Sequence, residues 1–121
     1  MKLRFLSSAN HGIVDYVAGI ALIIAPFILK LGGSNPLALW ISVATGIIVI
    51  IVSLATKYQY GVFKLIPFDG HLILDLLAAT SFMFVPVLLK LEGIEEAYFY
   101  INAVTVYLVV AVTATDSLSV N

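Results

Sequence analysis

The chain has 121 residues, of which 62% are hydrophobic and only 11% are charged. Soluble globular proteins are about half apolar and about one quarter charged, and so short a chain cannot bury this much apolar surface in one core. An ordinary soluble enzyme and a disordered protein are therefore excluded. The net charge of −1, with only six Lys and Arg, excludes nucleic acid as a partner. The lack of cysteine excludes disulfides, thiolate catalysis and Cys-ligated metal centres.

Four apolar segments predict four membrane-spanning helices, over approximately residues 12–31, 36–56, 71–90 and 97–115. The second and fourth segments contain long stretches without charge, near or above the roughly 20 residues that a helix needs to cross a bilayer. The first and third reach that length only when they are extended back to His11 and His71, which takes Asp15 and Asp75 about one turn into the membrane. Because the apolar runs are continuous rather than alternating, a transmembrane β-barrel is not expected.

The connections between these segments predict two antiparallel hairpins. The first turn contains Gly32-Gly33, which we expect to be a helix C-cap, and Asn10 and Asp69 are expected to be the N-caps of the first and third helices. The longer connection in the middle of the chain carries four aromatic residues, which is typical of a membrane interface. We therefore divide the chain into a first transmembrane hairpin (1–56), a cytoplasmic or interfacial linker (57–70) and a second transmembrane hairpin (71–121).

The two hairpins resemble each other at a fixed shift of 60 positions, without gaps. The shift superimposes residue types that are scarce in this chain and match by chance less readily than apolar ones: His11/His71, Asp15/Asp75, Pro26/Pro86, Lys30/Lys90, Gly33/Gly93 and Thr45/Thr105. Each repeat contains two spans, so both enter the membrane in the same direction, related by a pseudo-two-fold axis along the membrane normal. The expected fold is an all-α integral membrane four-helix bundle made of two tandem parallel helical-hairpin repeats with a period of 60.

Lysine and arginine residues predict the orientation in the membrane. Only two basic residues, Lys30 and Lys90, fall on the side opposite to the termini, where three glutamates also lie. The other four fall on the side of both termini: Lys2, Arg4, Lys57 and Lys64. The positive-inside rule therefore predicts both termini in the cytoplasm. The two His/Asp pairs then lie at one depth, close to the cytoplasmic surface of the membrane.

Two sequence segments resemble a known family. The segments HGIVDYVAGIALIIAP, from His11, and HLILDLLAATSFMFVP, from His71, each open a predicted hairpin. They resemble the SPW-repeat family of small bacterial membrane proteins, in which a two-helix unit, often duplicated, carries a Ser-Pro-Trp motif in its first transmembrane helix. Only the proline of that motif is present here, in Ala25-Pro26-Phe27 and Val85-Pro86-Val87. The resemblance implies an integral protein of the bacterial cytoplasmic membrane without an assigned biochemical role; the alternative, a DoxX-like four-helix protein, has no matching motif.

The candidate site consists of His11, Asp15, His71 and Asp75. Within each His-x-x-x-Asp pair the two side chains are four residues apart and share one helix face. One interpretation is structural, because an aspartate near a helix N-terminus is favoured by the helix dipole and the histidine can bond to it. The other is functional, because ionisable groups inside a membrane are costly and usually serve a purpose. Two imidazoles and two carboxylates that meet on the pseudo-axis would suit Zn²⁺ or another divalent metal.

Two further functional interpretations use the same four side chains. Both histidines would ligate a haem while the aspartates orient them, or the four groups would form a proton-relay or coupling site in a larger complex. A transporter that acts alone is not expected. Substrate sites normally lie near the bilayer midplane, and the middle of each predicted span carries no charged residue.

Two prolines are predicted inside membrane helices. Pro26 and Pro86 each free the carbonyl of the residue four positions earlier, Leu22 and Phe82. Neighbouring groups are expected to satisfy these carbonyls, because no water is present in the bilayer core. The prolines either set the helix shape for packing or form a matched pair of kinks that widens the outer half of the bundle.

We expect a non-enzymatic structural or accessory subunit of a membrane assembly, which forms homo-oligomers or docks onto a larger complex through its apolar faces. No catalytic residue is predicted, because no serine has a His/Asp partner at a spacing typical of a nucleophile. The alternative is a metal- or haem-binding membrane protein that uses the two His-x-x-x-Asp pairs. The lipid bilayer is the expected environment in both cases.

Overall fold

The structure, a computed structural model, describes residues 4–113. Four α-helices lie in that range: α1 (Ser8–Ile28), α2 (Leu37–Leu54), α3 (Phe68–Leu88) and α4 (Gly93–Val112). Each has at least 18 residues and is apolar enough to cross a membrane, and residues 4–113 contain no β-strand. The predicted all-α architecture with four membrane-spanning helices is confirmed. The predicted end of the fourth span at residue 115, and Lys2, lie outside the described residues.

Helices α1 and α3 begin earlier than predicted. Helix α1 starts after Ser7, whose Oγ accepts a hydrogen bond from the N–H of Asn10 at 3.1 Å, and α3 starts after Pro67. The predicted N-caps Asn10 and Asp69 are wrong, since both lie within the first turn. The serine satisfies a free N–H of that turn, and the φ of Pro67, −59°, is suited to entry into a helix.

Helices α1 and α3 end in the same way, before a lysine in the left-handed region of backbone conformation. Lys30 and Lys90 both have a φ of 54°. The N–H of the following leucine donates to the carbonyl of the proline inside the helix, at 2.9 Å in both hairpins. This pattern is the Schellman motif of helix C-termini. The first helix therefore ends ahead of Gly32-Gly33, the C-cap that the sequence predicted.

The two hairpins correspond closely but differ in the length of their turns. Helix α3 begins and ends 60 residues after α1, as predicted. The buried positions of α2 and α4 and of the residues that follow them align at an offset of 57, because Glu95 follows the buried Leu91 by four residues whereas Ala38 follows the buried Leu31 by seven. Thr45 and Thr105, which the shift of 60 pairs, therefore do not occupy equivalent positions. The offset of 57 pairs Ala38/Glu95, Ser42/Phe99, Gly46/Ala103 and Thr56/Thr113.

Backbone hydrogen bonds connect the ends of the helices. The N–H of Leu6, before α1, donates to the carbonyl of Val112, at the end of α4, at 2.9 Å. The N–H of Lys57, after α2, donates to the carbonyl of Ile66, before α3, at 2.8 Å. These four helix ends thus lie at one end of the bundle, which we call the linker end. Both hairpins run in the same direction, as expected for parallel repeats.

Close packing joins the two helices of each hairpin. The buried core includes Leu22, Phe82 and Phe99, and the rings of Phe82 and Phe99 pack edge to face with centroids 4.7 Å apart. Helices α1 and α2 approach each other at Gly19 and Gly46. A Cβ atom on Gly46 would lie 2.6 Å from the carbonyl oxygen of Gly19, so this contact depends on small residues, as is common between membrane helices.

The carbonyl that Pro26 frees is satisfied by a neighbouring helix. The hydroxyl of Ser42, on α2, donates to the carbonyl of Leu22 at 2.8 Å. Ser42 is fully buried, and its Oγ also lies 2.6 Å from the Tyr98 hydroxyl, which donates to it because the serine proton is already used. The prediction that a neighbouring group satisfies the freed carbonyl is confirmed for Pro26. In the second hairpin the equivalent position holds a phenylalanine, which has no hydroxyl.

A buried glutamate connects the hairpins at the end opposite to the linker end. Glu95, in the first turn of α4, is 4% exposed. Its carboxylate accepts hydrogen bonds from the N–H of Gly32 at 2.5 Å and from the N–H of Ser34 at 3.3 Å. An acidic residue in the first turn suits the positive N-terminal end of the helix dipole. The structure shows that it also holds the turn of the other hairpin.

We expect Glu95→Gln to lower the free energy of unfolding by about 1.5–3 kcal/mol, because hydrogen bonds to a charged group contribute about that much. The matched control is Glu96→Gln, at the exposed neighbouring position, which should change stability by less than about 0.5 kcal/mol. The measurement is denaturant unfolding in detergent micelles, followed by far-UV circular dichroism. Equal losses in the two variants would contradict the connecting role of Glu95.

Candidate functional site

The four predicted side chains meet within one chain at the linker end of the bundle. His11 and Asp15 come from α1, and His71 and Asp75 come from α3. The spacing of four residues places each pair on one helix face, and the parallel direction of α1 and α3 brings the two faces together. His11 and His71 are 0% and 1% exposed, and Asp15 is 6% exposed. We call these four residues the His/Asp quartet.

Each histidine of the quartet faces both carboxylates. The Nε2 atom of His11 lies 3.1 Å from Oδ1 of Asp15 and 3.0 Å from Oδ2 of Asp75. The Nε2 atom of His71 lies 2.9 Å from Oδ2 of Asp15 and 3.4 Å from Oδ2 of Asp75. One ligand atom from each residue can be chosen so that all four lie within 4.8 Å of one another. The quartet is therefore a single cluster rather than two local pairs.

Two threonines anchor the opposite nitrogen of each imidazole. The Nδ1 atoms of His11 and His71 lie 2.8 Å from the hydroxyls of Thr113 and Thr56, respectively. Each threonine hydroxyl also donates to the backbone carbonyl four residues earlier, at 2.5 Å for Thr113 and 2.6 Å for Thr56. A hydroxyl has one proton, so toward the imidazole it accepts a hydrogen bond. Both Nδ1 atoms therefore carry a proton.

The protonation of Nδ1 determines what the two Nε2 atoms can do. If Nε2 also carries a proton, the ring is a cation and donates to the carboxylates; if it does not, its lone pair points at them and a cation is needed between. The Nε2 atom of His71 is buried, and among residues 4–113 it makes no hydrogen bond of good geometry, although Asp15 is near. Two imidazole nitrogens and two carboxylate oxygens are ligands that Zn²⁺ accepts.

The linker covers the quartet on the side away from the membrane interior. Tyr58 is 5% exposed, and its hydroxyl donates to Oδ2 of Asp15 at 3.0 Å. Burial raises the pKa of the Tyr58 hydroxyl, which therefore stays protonated and acts as a donor. The ring of Phe68 packs edge to face against His11, with centroids 5.4 Å apart, and is stacked on His71 at 6.2 Å. Two of the four aromatic residues predicted for a membrane interface thus form a cover.

The sequence did not reveal the threonines or the cover. Thr56 and Thr113 correspond only at the offset of 57, so an ungapped shift of 60 does not pair them. The signal that could have found them is a threonine after each second helix, at the same distance from the end of the preceding apolar run. Tyr58 lies in a segment without helical periodicity, where no pattern predicts which aromatic ring turns inward.

The geometry is unfavourable for the haem interpretation. Two histidines that ligate one haem must leave room for a porphyrin between their Nε2 atoms. Here the carboxylates of Asp15 and Asp75 lie 2.9–3.4 Å from those atoms, and the two imidazole centroids are only 5.5 Å apart. The space that a porphyrin would need is filled by protein, whereas a single ion fits the ligand set.

We expect both histidines of the protein to carry their proton on Nδ1. Thr113→Val removes the acceptor of His11 and should change the tautomer or the ¹⁵N shifts of that residue while leaving His71 as it is. The matched control is Thr45→Val, which removes a threonine with the same type of backbone hydrogen bond, to the carbonyl of Ile41, but whose hydroxyl is not the partner of either imidazole. The measurement is NMR of protein labelled with ¹⁵N-histidine. Histidines without a proton on Nδ1 would contradict the threonine anchors.

Comparison with known proteins agrees with this architecture. A family model described as the SPW repeat domain matches residues 9–116, nearly the whole chain. No curated protein and no solved structure gives a match. The chain therefore belongs to the SPW repeat family, as the two His-x-x-x-Asp segments and their prolines implied.

Proposed function

We propose that this member of the SPW repeat family is an integral membrane protein that holds a divalent transition-metal ion, such as Zn²⁺, in the His/Asp quartet. The observation that carries the proposal is that the Nε2 atoms of two histidines and two carboxylates converge on one point. The Nδ1 atoms of both histidines are already held by threonine hydroxyls. A metal ligand of this kind is oriented by a hydrogen bond on its other nitrogen. The threonine anchors supply that bond.

Distances and charge support the same proposal. Ligand bonds of about 2.0–2.1 Å in a tetrahedral zinc site separate neighbouring ligand atoms by roughly 3.3 Å. With Oδ2 of both aspartates, three Nε2–Oδ separations of the quartet are 2.9–3.4 Å, and one ligand atom from each of the four residues, all within 4.8 Å of one another, would draw together around the ion. Two carboxylates and one dication sum to zero charge, which is favoured in a buried site because an unbalanced ion there is costly. Neutral imidazoles complete the ligand set without adding charge.

The proposed role of the ion is structural rather than catalytic. It would join α1 and α3, the first helices of the two hairpins, at the linker end. The outer faces of the bundle carry large exposed apolar side chains, among them Trp40, Ile51 and Leu108, which suit lipid or a membrane partner. We therefore retain the accessory role: a non-enzymatic module that forms homo-oligomers or docks onto a larger membrane complex.

We further propose that the protein lies in the bacterial cytoplasmic membrane with both termini in the cytoplasm. Arg4, Lys57 and Lys64 belong to the linker end, whereas the opposite end carries Lys30 and Lys90 together with the glutamates of the second turn. The excess of basic residues at the linker end supports this orientation. We also infer that the hairpins arose by duplication, with the divisions 1–56, 57–70 and 71–121.

We expect purified protein to bind about one divalent ion per chain after incubation with Zn²⁺ and gel filtration, and His11→Ala combined with His71→Ala to abolish this binding. Loss of groups that only orient a ligand weakens metal affinity about 10–100-fold, so Asp75→Asn, which removes a ligand, should weaken it at least that much. The matched control is Asp69→Asn, an exposed carboxylate on the same helix. The measurements are elemental analysis and competition with a chelating dye.

Several outcomes would overturn the proposal. Binding that persists in the double histidine variant would place the ion elsewhere. Less than about one tenth of an ion per chain would favour a quartet of two imidazolium and two carboxylate groups, and with it the proton-relay interpretation. A Soret band in the absorption spectrum of the purified protein would show bound haem and favour the haem interpretation. If Asp75→Asn binds the metal with unchanged affinity, the Asp75 carboxylate is not a ligand.

Removal of the ion should also destabilise the protein. A ligand that binds only the folded state at 100 times its Kd stabilises it by about 2.7 kcal/mol. We therefore expect a chelator to lower the midpoint of thermal unfolding in micelles for the native protein but not for the double histidine variant. The measurement is circular dichroism with and without the chelator. Equal shifts in both proteins would show that the chelator acts on something other than the quartet.

A further inference from the structure

A cavity of about 100 Å³ lies in the centre of the bundle, between the two hairpins, and all four helices line it. Along α1 its lining runs from Asp15 through Ala18 to Leu22, which are separated by about one helical turn each. The carboxylates therefore lie at one end of the cavity, and larger apolar side chains lie at the other. Polar side chains line its middle part: Thr45, Asn102 and Thr105.

The quartet is closed toward the linker and reached through the cavity. Tyr58 and Phe68 cover the histidines, which are 0–1% exposed. Asp75 keeps the most exposed side chain of the four, 15%, and it lines the cavity. Thr105 also lines the cavity and is exposed on the membrane-spanning part of α4. At Thr105 the lining of the cavity thus reaches the surface of a membrane-spanning helix, where a lipid-soluble molecule has access to it.

One carboxylate oxygen at the end of the cavity is free to accept a hydrogen bond. Both contacts of Asp75 with the imidazoles use Oδ2, and within residues 4–113 its Oδ1 has no hydrogen-bond partner. Unlike Nε2 of His71, this oxygen is not a fully buried atom, so a ligand with a hydroxyl can reach it and donate a charge-assisted hydrogen bond. Because the quartet is already balanced in charge by imidazolium groups or by a metal, a neutral donor fits better than a cation.

We infer that this cavity binds a neutral, membrane-soluble ring compound of the phenol type, whose hydroxyl donates to Oδ1 of Asp75 while its ring lies between Ala18 and Ala78. The volume, about 100 Å³, is two thirds of the roughly 150 Å³ of an engineered apolar cavity that binds benzene. The cavity therefore holds one ring at most, and any longer tail would have to leave it beside Thr105. An apolar pocket with a few convergent polar groups is the usual form of a small-molecule site.

The inference goes beyond the proposed metal centre and does not depend on it. A metal ion would use Oδ2 of Asp75, which faces the histidines, and would leave Oδ1 to the cavity. The hydroxyl donor and the ion are therefore compatible in one protein. The two proposals also have different readouts. Binding of the ring compound is measured on the ligand itself, and the metal content of the same sample is measured by elemental analysis.

The test uses 4-fluorophenol and its matched analogue without the hydroxyl, fluorobenzene, with the full chain in lipid nanodiscs. Binding is followed by ¹⁹F NMR, and nanodiscs without protein give the baseline for partition into lipid. We expect saturable binding of 4-fluorophenol and at least about tenfold weaker binding of fluorobenzene, since a hydrogen bond to a carboxylate is among the stronger ones. Equal affinity of the two probes, or binding no greater than the lipid baseline, would overturn the inference.

Two variants locate the binding. Ala78→Leu fills the cavity and should abolish saturable binding, whereas Ala44→Leu, at an exposed position of α2, should leave it unchanged. Asp75→Asn keeps the shape of the side chain and should weaken 4-fluorophenol about tenfold without changing fluorobenzene. If Ala78→Leu fails to fold, Asp75→Asn decides together with native protein treated with a chelator, which lacks the ion but keeps the Asp75 carboxylate and should bind 4-fluorophenol unchanged. If 4-fluorophenol binds as strongly to Ala78→Leu and Asp75→Asn as to the native protein, the site lies elsewhere, whatever the metal content of the samples.

Discussion

Charge balance inside an apolar bundle is the constraint on which the rest of this structure depends. Two aspartates lie among helices that carry almost no other charge at that depth, and an uncompensated ion in such surroundings costs several kcal/mol. Both histidines lie 2.9–3.4 Å from the two carboxylates and balance them either as imidazolium groups or as neutral ligands of a shared cation. Because they come from both α1 and α3, these helices must meet at this end. That requirement favours two hairpins that run in the same direction.

Polar contacts connect the two hairpins at both ends, and Ser42 of α2 also bonds to Tyr98 of α4. At the linker end the connection is the quartet with its threonine anchors, and at the opposite end it is the carboxylate of Glu95 on the turn around Gly32. Between these ends the helices of each hairpin pack on each other, while small residues such as Ala18 and Ala78 leave a central space. Polar contacts therefore hold the hairpins together at both ends, and a buried apolar cluster with residues of both hairpins, among them Leu22 and Phe99, packs between them.

The sequence was informative where residue type and spacing coincide. Scarce residues repeated at 60 positions predicted the parallel hairpins and the four members of the quartet, and apolar length predicted the spans. The threonine anchors were beyond its reach, because a shorter second turn hides their correspondence. The cover formed by Tyr58 depends on how an irregular linker folds back over α1, which has no periodic signal. The predicted starts of α1 and α3 were too late in the sequence, since their N-caps, Ser7 and Pro67, lie outside the apolar pattern.

Each imidazole is anchored by the hairpin to which it does not belong. Thr113, after α4, holds His11 of the first hairpin, and Thr56, after α2, holds His71 of the second. A lone hairpin would thus present its histidine without an anchor, whereas two identical hairpins would complete each other by symmetry. In the proposed duplication, an ancestor half as long would have worked only as a pair, and fusion would have allowed the two copies to diverge. The carboxylate of Glu95, whose counterpart in the first hairpin is Ala38, fits that history.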